Sequence, residues 1–173
     1  DYTLSDCYAD ARTLEWRFSH WNGIELYLPW KLDLERTRIE AIKPGAFKDM
    51  AGLEGEPPPE DGEKDRRAVL LLKRNSISII EPYTFAVLRN LRYLDQAKNK
   101  IQVVKSNAFR GLPRLANLHL HGNQINSIEN GAFAGLDSLR WIDLGSNQIN
   151  NSEDGAFAGL DSRRGVTLRY NPG

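Results

Sequence analysis

Several features that mark other classes of protein are scarce or absent in this 173-residue chain. Cys7 is the only cysteine, so the chain cannot form an internal disulfide. Lysine plus arginine and aspartate plus glutamate number 23 each, which leaves no basic excess of the kind that indicates a nucleic-acid partner. No apolar run approaches the roughly 18–20 residues of a membrane-spanning helix, so we expect no direct membrane insertion.

Motifs that carry catalysis are absent as well. The sequence has no glycine-rich phosphate loop, no Cys-x-x-Cys pair and no nucleophile elbow. We therefore predict that the protein is not an enzyme and needs no cofactor. The first residues lack the basic and apolar regions of a signal peptide, and a chain that starts at Asp1 is expected to be processed or truncated.

What the chain has in abundance is a repeat of 24 residues. The repeat is marked by asparagines at a constant spacing: Asn75, Asn99, Asn123, Asn147 and Asn171. Ten residues after each of the first four comes a phenylalanine: Phe85, Phe109, Phe133 and Phe157. Leucine recurs three residues before the asparagine, at Leu72, Leu120, Leu144 and Leu168. An earlier copy has Thr37 in the asparagine position, which gives about six copies.

One copy carries the complete pattern: Leu115, Leu118, Leu120, Asn123, Ile125, Ile128 and Phe133. It resembles the leucine-rich repeat family in its typical 24-residue form, and the resemblance covers most of the chain, from about residue 26 to 173. It implies an α/β solenoid, a right-handed coil over residues 31–173. Short parallel strands would line the concave side, and irregular, 3₁₀ or helical turns the convex side.

The repeated polar and aromatic residues are expected to hold the fold. An asparagine side chain both donates and accepts, so it can satisfy backbone groups at the strand ends. Stacked copies would form a ladder, as the resemblance implies. The phenylalanines would form a stack beneath the convex turns, each burying a large area.

The repeat is interrupted once and flanked by an unusual segment. Thr37 and Asn75 are 38 residues apart, 14 more than one period, and the excess falls in 54–67, where three prolines lie among charges. We expect a looped-out insertion, either a tolerated surface loop or a contact arm. Residues 1–30 are rich in aromatic residues and are expected to cap the solenoid.

The two ends of the sequence carry the evidence on the cellular compartment of the protein. Extracellular family members have caps with paired cysteines, whereas this chain has only Cys7, and the segment after Leu168 resembles the entry to a cysteine cap that does not follow. We expect that the chain continues or that another protein covers this end. The resemblance implies an extracellular or organelle-lumen protein; an intracellular assembly is the alternative. Asn150-Asn151-Ser152 is a glycosylation sequon if the protein is secreted.

Side chains alternate between the two faces of a strand, so the residues two, four and six positions before each asparagine are expected to point to the same face. Twelve of them are the candidate partner-binding residues, called the concave face below: Val69, Leu71, Lys73, Tyr93, Asp95, Asn117, His119, His121, Trp141, Asp143, Thr167 and Arg169. Exposed tyrosine and tryptophan on a rigid sheet are typical of interface hot spots.

A metal site was weighed against this interpretation. His119 and His121 share a strand face, Asp95 and Asp143 flank His119, and such a set can hold zinc. An open face without a pocket or a paired nucleophile favours neither a metal nor catalysis, and we predict neither. A milder hypothesis is that the two aspartates raise the pKa of His119 and make binding pH-sensitive.

The sequence thus predicts a non-catalytic protein-binding module that recognises a macromolecular partner through its concave face. The partner would be a protein: a receptor, a ligand or a subunit of a complex. The alternative is a structural subunit of a large assembly that contacts its neighbours through its uncapped ends and the insertion loop. The sequence does not identify the partner.

Overall fold

The computed structural model describes residues 13–14, 31–50, 68–158, 160 and 165–172. Most of the predicted cap, residues 1–30, lies outside the described residues, and so does the whole predicted insertion, residues 54–67. Within the described ranges, every element is a short β-strand except one 3₁₀ helix, Lys48–Met50.

Six of the strands form one parallel sheet in the order β11-β9-β7-β5-β4-β2. They are β2 (Lys31–Asp33), β4 (Ala68–Leu71), β5 (Leu91–Asp95), β7 (Asn117–His119), β9 (Trp141–Asp143) and β11 (Gly165–Thr167). Neighbours in the sheet are successive strands of the repeat, so the chain advances by one strand per coil. This is the geometry of a solenoid.

Two smaller parallel sheets lie where the chain has left the main sheet and runs toward the convex turns, which is called the outgoing side below. Three strands pair in the order β10-β8-β6: β6 (Val103–Val104), β8 (Ser127–Ile128) and β10 (Asn151–Ser152). A further pair joins β1 (Thr13–Leu14) to β3 (Ala41–Ile42). The parallel coil predicted from the repeat is confirmed.

The core lies between the main sheet and the turns, because one face of each strand is apolar. In β7 the middle residue, Leu118, is fully buried, while the residues on either side are partly exposed. Phe47, Phe85, Phe109 and Phe133 are fully buried, and the rings of successive coils lie 5.6, 6.4 and 6.1 Å apart between centroids. The predicted phenylalanine stack is therefore present.

The asparagine ladder is present too. The Asn123 side-chain amide donates to the carbonyl oxygen of Leu120 in its own coil, at 2.9 Å, and to that of Gln96 in the preceding coil, at 3.0 Å. Its Oδ1 accepts from the backbone N–H of Ile101 at 3.1 Å. One buried side chain thus satisfies three backbone groups of two coils, which explains why asparagine recurs at this position.

The coils on the two sides of the insertion are in register. Lys31, Leu32 and Asp33 pair with residues 69–71, although 38 residues separate the partners. Thr37 fills the asparagine position, and its hydroxyl donates to the Leu34 carbonyl at 2.8 Å. The repeat therefore continues across the insertion without a shift.

The convex side consists of hydrogen-bonded turns, with almost no helix in the described part of the chain. In one of them Ala108 and Arg110 donate to the carbonyls of Lys105 and Asn107, both at 3.1 Å. Gly111 follows at φ +92°, and a Cβ there would lie 2.7 Å from Cα of Ala86. The helical component of an α/β solenoid is thus limited to one short 3₁₀ helix in the described part of the chain.

Among the described residues, no helix is long and apolar enough to span a membrane.

Candidate functional site

The register of the main sheet aligns the predicted face in columns. Tyr93 pairs with Asn117, Asn117 with Trp141, and Trp141 with Gly165. A second column runs Leu71, Asp95, His119, Asp143 and Thr167. Because parallel strands lie about 4.8 Å apart, side chains in one column are direct neighbours across coils.

The twelve residues of the concave face differ in exposure. Trp141, at 42 % relative exposure, and Arg169 are exposed. Asp95, at 7 %, is buried. The other nine are partly exposed: Val69, Leu71, Lys73, Tyr93, Asn117, His119, His121, Asp143 and Thr167. Asp95 therefore supports the surface from below and offers little to a partner.

Aspartates at the strand ends have a structural role that the sequence analysis did not assign. Oδ1 of Asp33, Asp95 and Asp143 accepts the backbone N–H two residues later, at 3.1, 2.9 and 3.0 Å respectively. Each aspartate thus caps its strand end. For Asp143 this fixes one carboxylate oxygen and leaves the other directed to its neighbours.

The aromatic residues are held by their neighbours in the adjacent coils. The rings of Tyr93 and His119 are 5.0 Å apart between centroids and tilted by 36°. Trp141 lies over Gly165, where a Cβ would be only 2.8 Å from Cε3 of the indole. Because Gly165 has no side chain, the indole can pack with one face against the next strand.

Two histidines and one aspartate converge at the centre of the face. Nδ1 of His121 lies 3.3 Å from Oδ2 of Asp143, which is close enough for an ion pair. The two atoms do not form a hydrogen bond, and this buried Nδ1 has no other hydrogen-bond partner. The rings of His119 and His121 are 6.2 Å apart between centroids. One ligating atom from each of His119, His121 and Asp143 lies within 4.8 Å of the other two.

The hypothesis that Asp95 and Asp143 act to raise the pKa of His119 is correct for these two charges, but a larger effect opposes them. Burial lowers the pKa of His119 and outweighs the opposing effect of Asp95 and Asp143, while His121 and Lys73 lower it further. The sequence shows the charges but not the burial, which penalises the imidazolium. Burial thus favours the neutral form of the His119 imidazole. Burial also raises the pKa of Tyr93, with a smaller contribution from Asp95.

Sequence reasoning missed one polar residue in the core. Gln96 is fully buried, and neither Oε1 nor Nε2 of its side chain has a hydrogen-bond partner. It stands three residues before Asn99, where the other copies have leucine. That departure was the signal that could have revealed it. Its side chain lies inside the coil and is no part of the concave face.

The fold and this surface define a class of protein, the solenoid scaffold that presents one sheet face. The family model described as leucine rich repeat matches residues 68–125 and 113–172, more than half of the 173-residue chain. The chain belongs to the leucine-rich repeat family. No match was found among curated proteins. Repeats of this family are generally protein-interaction modules, and their solenoid is typically a non-catalytic binding scaffold.

Proposed function

We propose that the concave face is the binding site for a protein partner and that Tyr93 and Trp141 anchor the contact. The observation that carries the proposal is that Trp141 is 42 % exposed on the sheet although its indole packs closely against Gly165 of the next strand. Large aromatic side chains on a rigid surface lose little conformational entropy on binding, which makes them efficient anchors.

The composition around the anchors supports a protein as the partner. Lys73 and Arg169 are cationic, Asp143 is anionic, and Asn117 adds an uncharged amide between Tyr93 and Trp141. A surface of mixed charge with central aromatic residues matches protein interfaces, whereas a nucleic-acid site would carry a basic excess.

Preorganisation is the second support. Each strand of the sheet is bonded to the next, and the asparagine ladder fixes the strand ends. A surface that is ordered before binding needs little further ordering when the partner docks.

The test is a comparison of pull-downs with matched aromatic variants of the full chain. Tyr93→Ala and Trp141→Ala remove the proposed anchors, while Tyr83→Ala removes an aromatic residue that is 56 % exposed on a convex turn. We expect a partner that is retained by the wild type and by Tyr83→Ala and that binds at least about tenfold more weakly to both anchor variants.

Partner binding that is equally strong in all three variants would contradict the proposal, provided that circular dichroism shows the same folded state. Loss of binding in Tyr83→Ala alone would move the interface to the convex side.

A second candidate function is a structural role in an assembly. Val166, Leu168 and Tyr170, in the last described coil, are 39 %, 44 % and 84 % exposed. This apolar end favours a neighbour that stacks on it. Size-exclusion chromatography with light scattering distinguishes the candidates: a Leu168→Gln variant would dissociate an end-to-end assembly and leave concave binding unchanged.

For the compartment we propose secretion or an organelle lumen, with an intracellular assembly as the alternative. Asn150, the acceptor of the sequon, has an exposed side chain. Intact mass spectrometry of the protein from its natural source tests this: a glycan on Asn150 is expected, and an unmodified Asn150 would count against the secretory route.

A further inference from the structure

We propose that the concave face holds one divalent transition-metal ion, zinc in the first place, on His119, His121 and Asp143. This goes beyond partner binding and does not depend on it, since metal binding is measured on the protein alone. From sequence alone the face is expected to be open, which favours no metal, whereas the structure shows three converging groups, each partly shielded from water.

The distances fit the coordination sphere with small adjustments. Ligand atoms bonded to zinc at about 2.0–2.2 Å in a tetrahedron lie about 3.4 Å apart. Nδ1 of His121 and Oδ2 of Asp143 are 3.3 Å apart, already at that separation. The largest separation within the triad is bounded at 4.8 Å, which a rotation of an imidazole can close.

The backbone sets the three groups in place. His119 is the last residue of β7 and His121 follows it by two residues in the turn, where the two rings lie 6.2 Å apart between centroids. Asp143 is the direct partner of His119 in the adjacent strand. The arrangement therefore follows from the register between two coils and needs no mobile segment.

The carboxylate is oriented as a metal ligand should be. Oδ1 of Asp143 accepts the Gly145 backbone N–H at 3.0 Å, which fixes the carboxylate plane and leaves Oδ2 facing His121. Bonds of this kind to the distal atom of a ligand orient it and tune its strength. Nδ1 of His121 is a buried polar atom without a hydrogen-bond partner, and a bound cation would satisfy it.

The donor set selects the kind of metal. Two imidazoles and one carboxylate suit zinc, nickel, copper and cobalt, whereas calcium and magnesium prefer oxygen ligands alone. The Tyr93 ring packs against His119 and shields it from water on one side. Three protein ligands leave a coordination position for water or for a group of a partner.

The experiment titrates zinc chloride into the full chain by calorimetry, in a Cys7→Ser background that removes the thiol as a competing ligand. We expect one equivalent of zinc with a micromolar or lower dissociation constant. His119→Gln, His121→Gln and Asp143→Asn should each weaken binding at least about tenfold. Asp143→Asn retains the oxygen that caps Gly145, so the fold should survive.

Two matched controls separate the site from general effects. Asp33→Asn changes an aspartate that caps its strand end in the same way on β2, and His20→Gln removes the third histidine of the chain. Both should bind zinc as the wild type does. Calcium chloride should give no heat.

A readout without ligand substitution is histidine side-chain NMR of the Cys7→Ser protein. One equivalent of zinc should shift the resonances of His119 and His121 and leave those of His20 in place. The proposal is overturned by the absence of zinc binding below millimolar concentration, by a shift of His20 alone, or by wild-type affinity in any folded variant of the three ligands.

Discussion

Two coils of the same solenoid differ in what covers them. Leu144 and Leu168 hold the same position of the repeat, but Leu144 is fully buried and Leu168 is 44 % exposed. Two ladder bonds are the same in both coils: the amide of Asn147 donates to Leu144 and Leu120, and that of Asn171 to Leu168 and Leu144, at 2.9–3.1 Å. The ladder is complete at the end of the coil, whereas the burial is not.

The comparison shows that the two interactions have different ranges. A coil forms its ladder bonds with the preceding coil, and so the last described coil has them. Apolar burial requires a coil on both sides, as the stability of repeat proteins by nearest-neighbour contacts implies. The same substitution should therefore destabilise a middle coil strongly and the last coil weakly.

The largest effect is expected for Phe109→Ala in the middle of the phenylalanine stack. Phe109 is fully buried between Phe85 and Phe133, so its removal leaves a cavity and should lower the free energy of unfolding by about 3–5 kcal/mol in urea denaturation. Phe157→Ala is the control, since Phe157 is only partly buried and should lose clearly less. Equal losses of unfolding free energy in Phe109→Ala and Phe157→Ala would contradict the difference between middle and last coils.

Asn123→Ala should rank second. It leaves one buried N–H and two carbonyls without their side-chain partner, and we expect a loss of about 2–4 kcal/mol in thermal or urea unfolding. Asn171→Ala removes the equivalent bonds at the exposed end, where water replaces them, and should lose about 1 kcal/mol. If Asn171→Ala proved as damaging as Asn123→Ala, burial would not be the deciding factor.

Gln96→Leu is expected to stabilise the protein. Its buried amide has no partner, and leucine restores the residue that the other copies have, so the free energy of unfolding should rise by about 1–3 kcal/mol. The reverse change in the next coil, Leu120→Gln, should destabilise by a similar or larger amount. A neutral or destabilising Gln96→Leu would mean that the amide has a partner in solution.

The smallest effect is expected for Leu168→Gln. Because Leu168 is 44 % exposed, the change should alter the free energy of unfolding by no more than about 0.5 kcal/mol. Leu120 holds the equivalent position in a covered coil. The difference in unfolding free energy between Leu120→Gln and Leu168→Gln therefore measures how much a covering coil stabilises this position. A large loss in Leu168→Gln would show that this end is covered in solution.

Much of the fold could be predicted from the sequence, because a period of 24 residues fixes which side chains meet in successive coils. Phe109 and Asn123 were assigned to the core and the ladder from the 24-residue spacing together with the family resemblance, and both are there. The residues of the convex side allow helix or turn, so their spacing did not predict that the described part has turns and one short 3₁₀ helix.

The details of the site depend on how deeply each side chain is buried and how it is oriented, which the spacing of residues in the sequence does not provide. Alternation places Asp95 on the concave face, but Asp95 is buried, whereas Asp143, which accepts the same backbone bond, is partly exposed. The sign of the His119 pKa shift followed burial and not the neighbouring charges. The approach of His121 to Asp143 arises from the inter-coil register together with the cap on Gly145.

The central proposal is that the stacked coils present the concave face to a protein partner. Site-specific photocrosslinking tests it most directly, with Asn117→Cys on the concave face and Asn126→Cys on the outgoing side, each in a Cys7→Ser background and labelled with benzophenone. The account predicts a crosslinked partner from position 117 and none from 126. Crosslinking from 126 with none from 117 would contradict it.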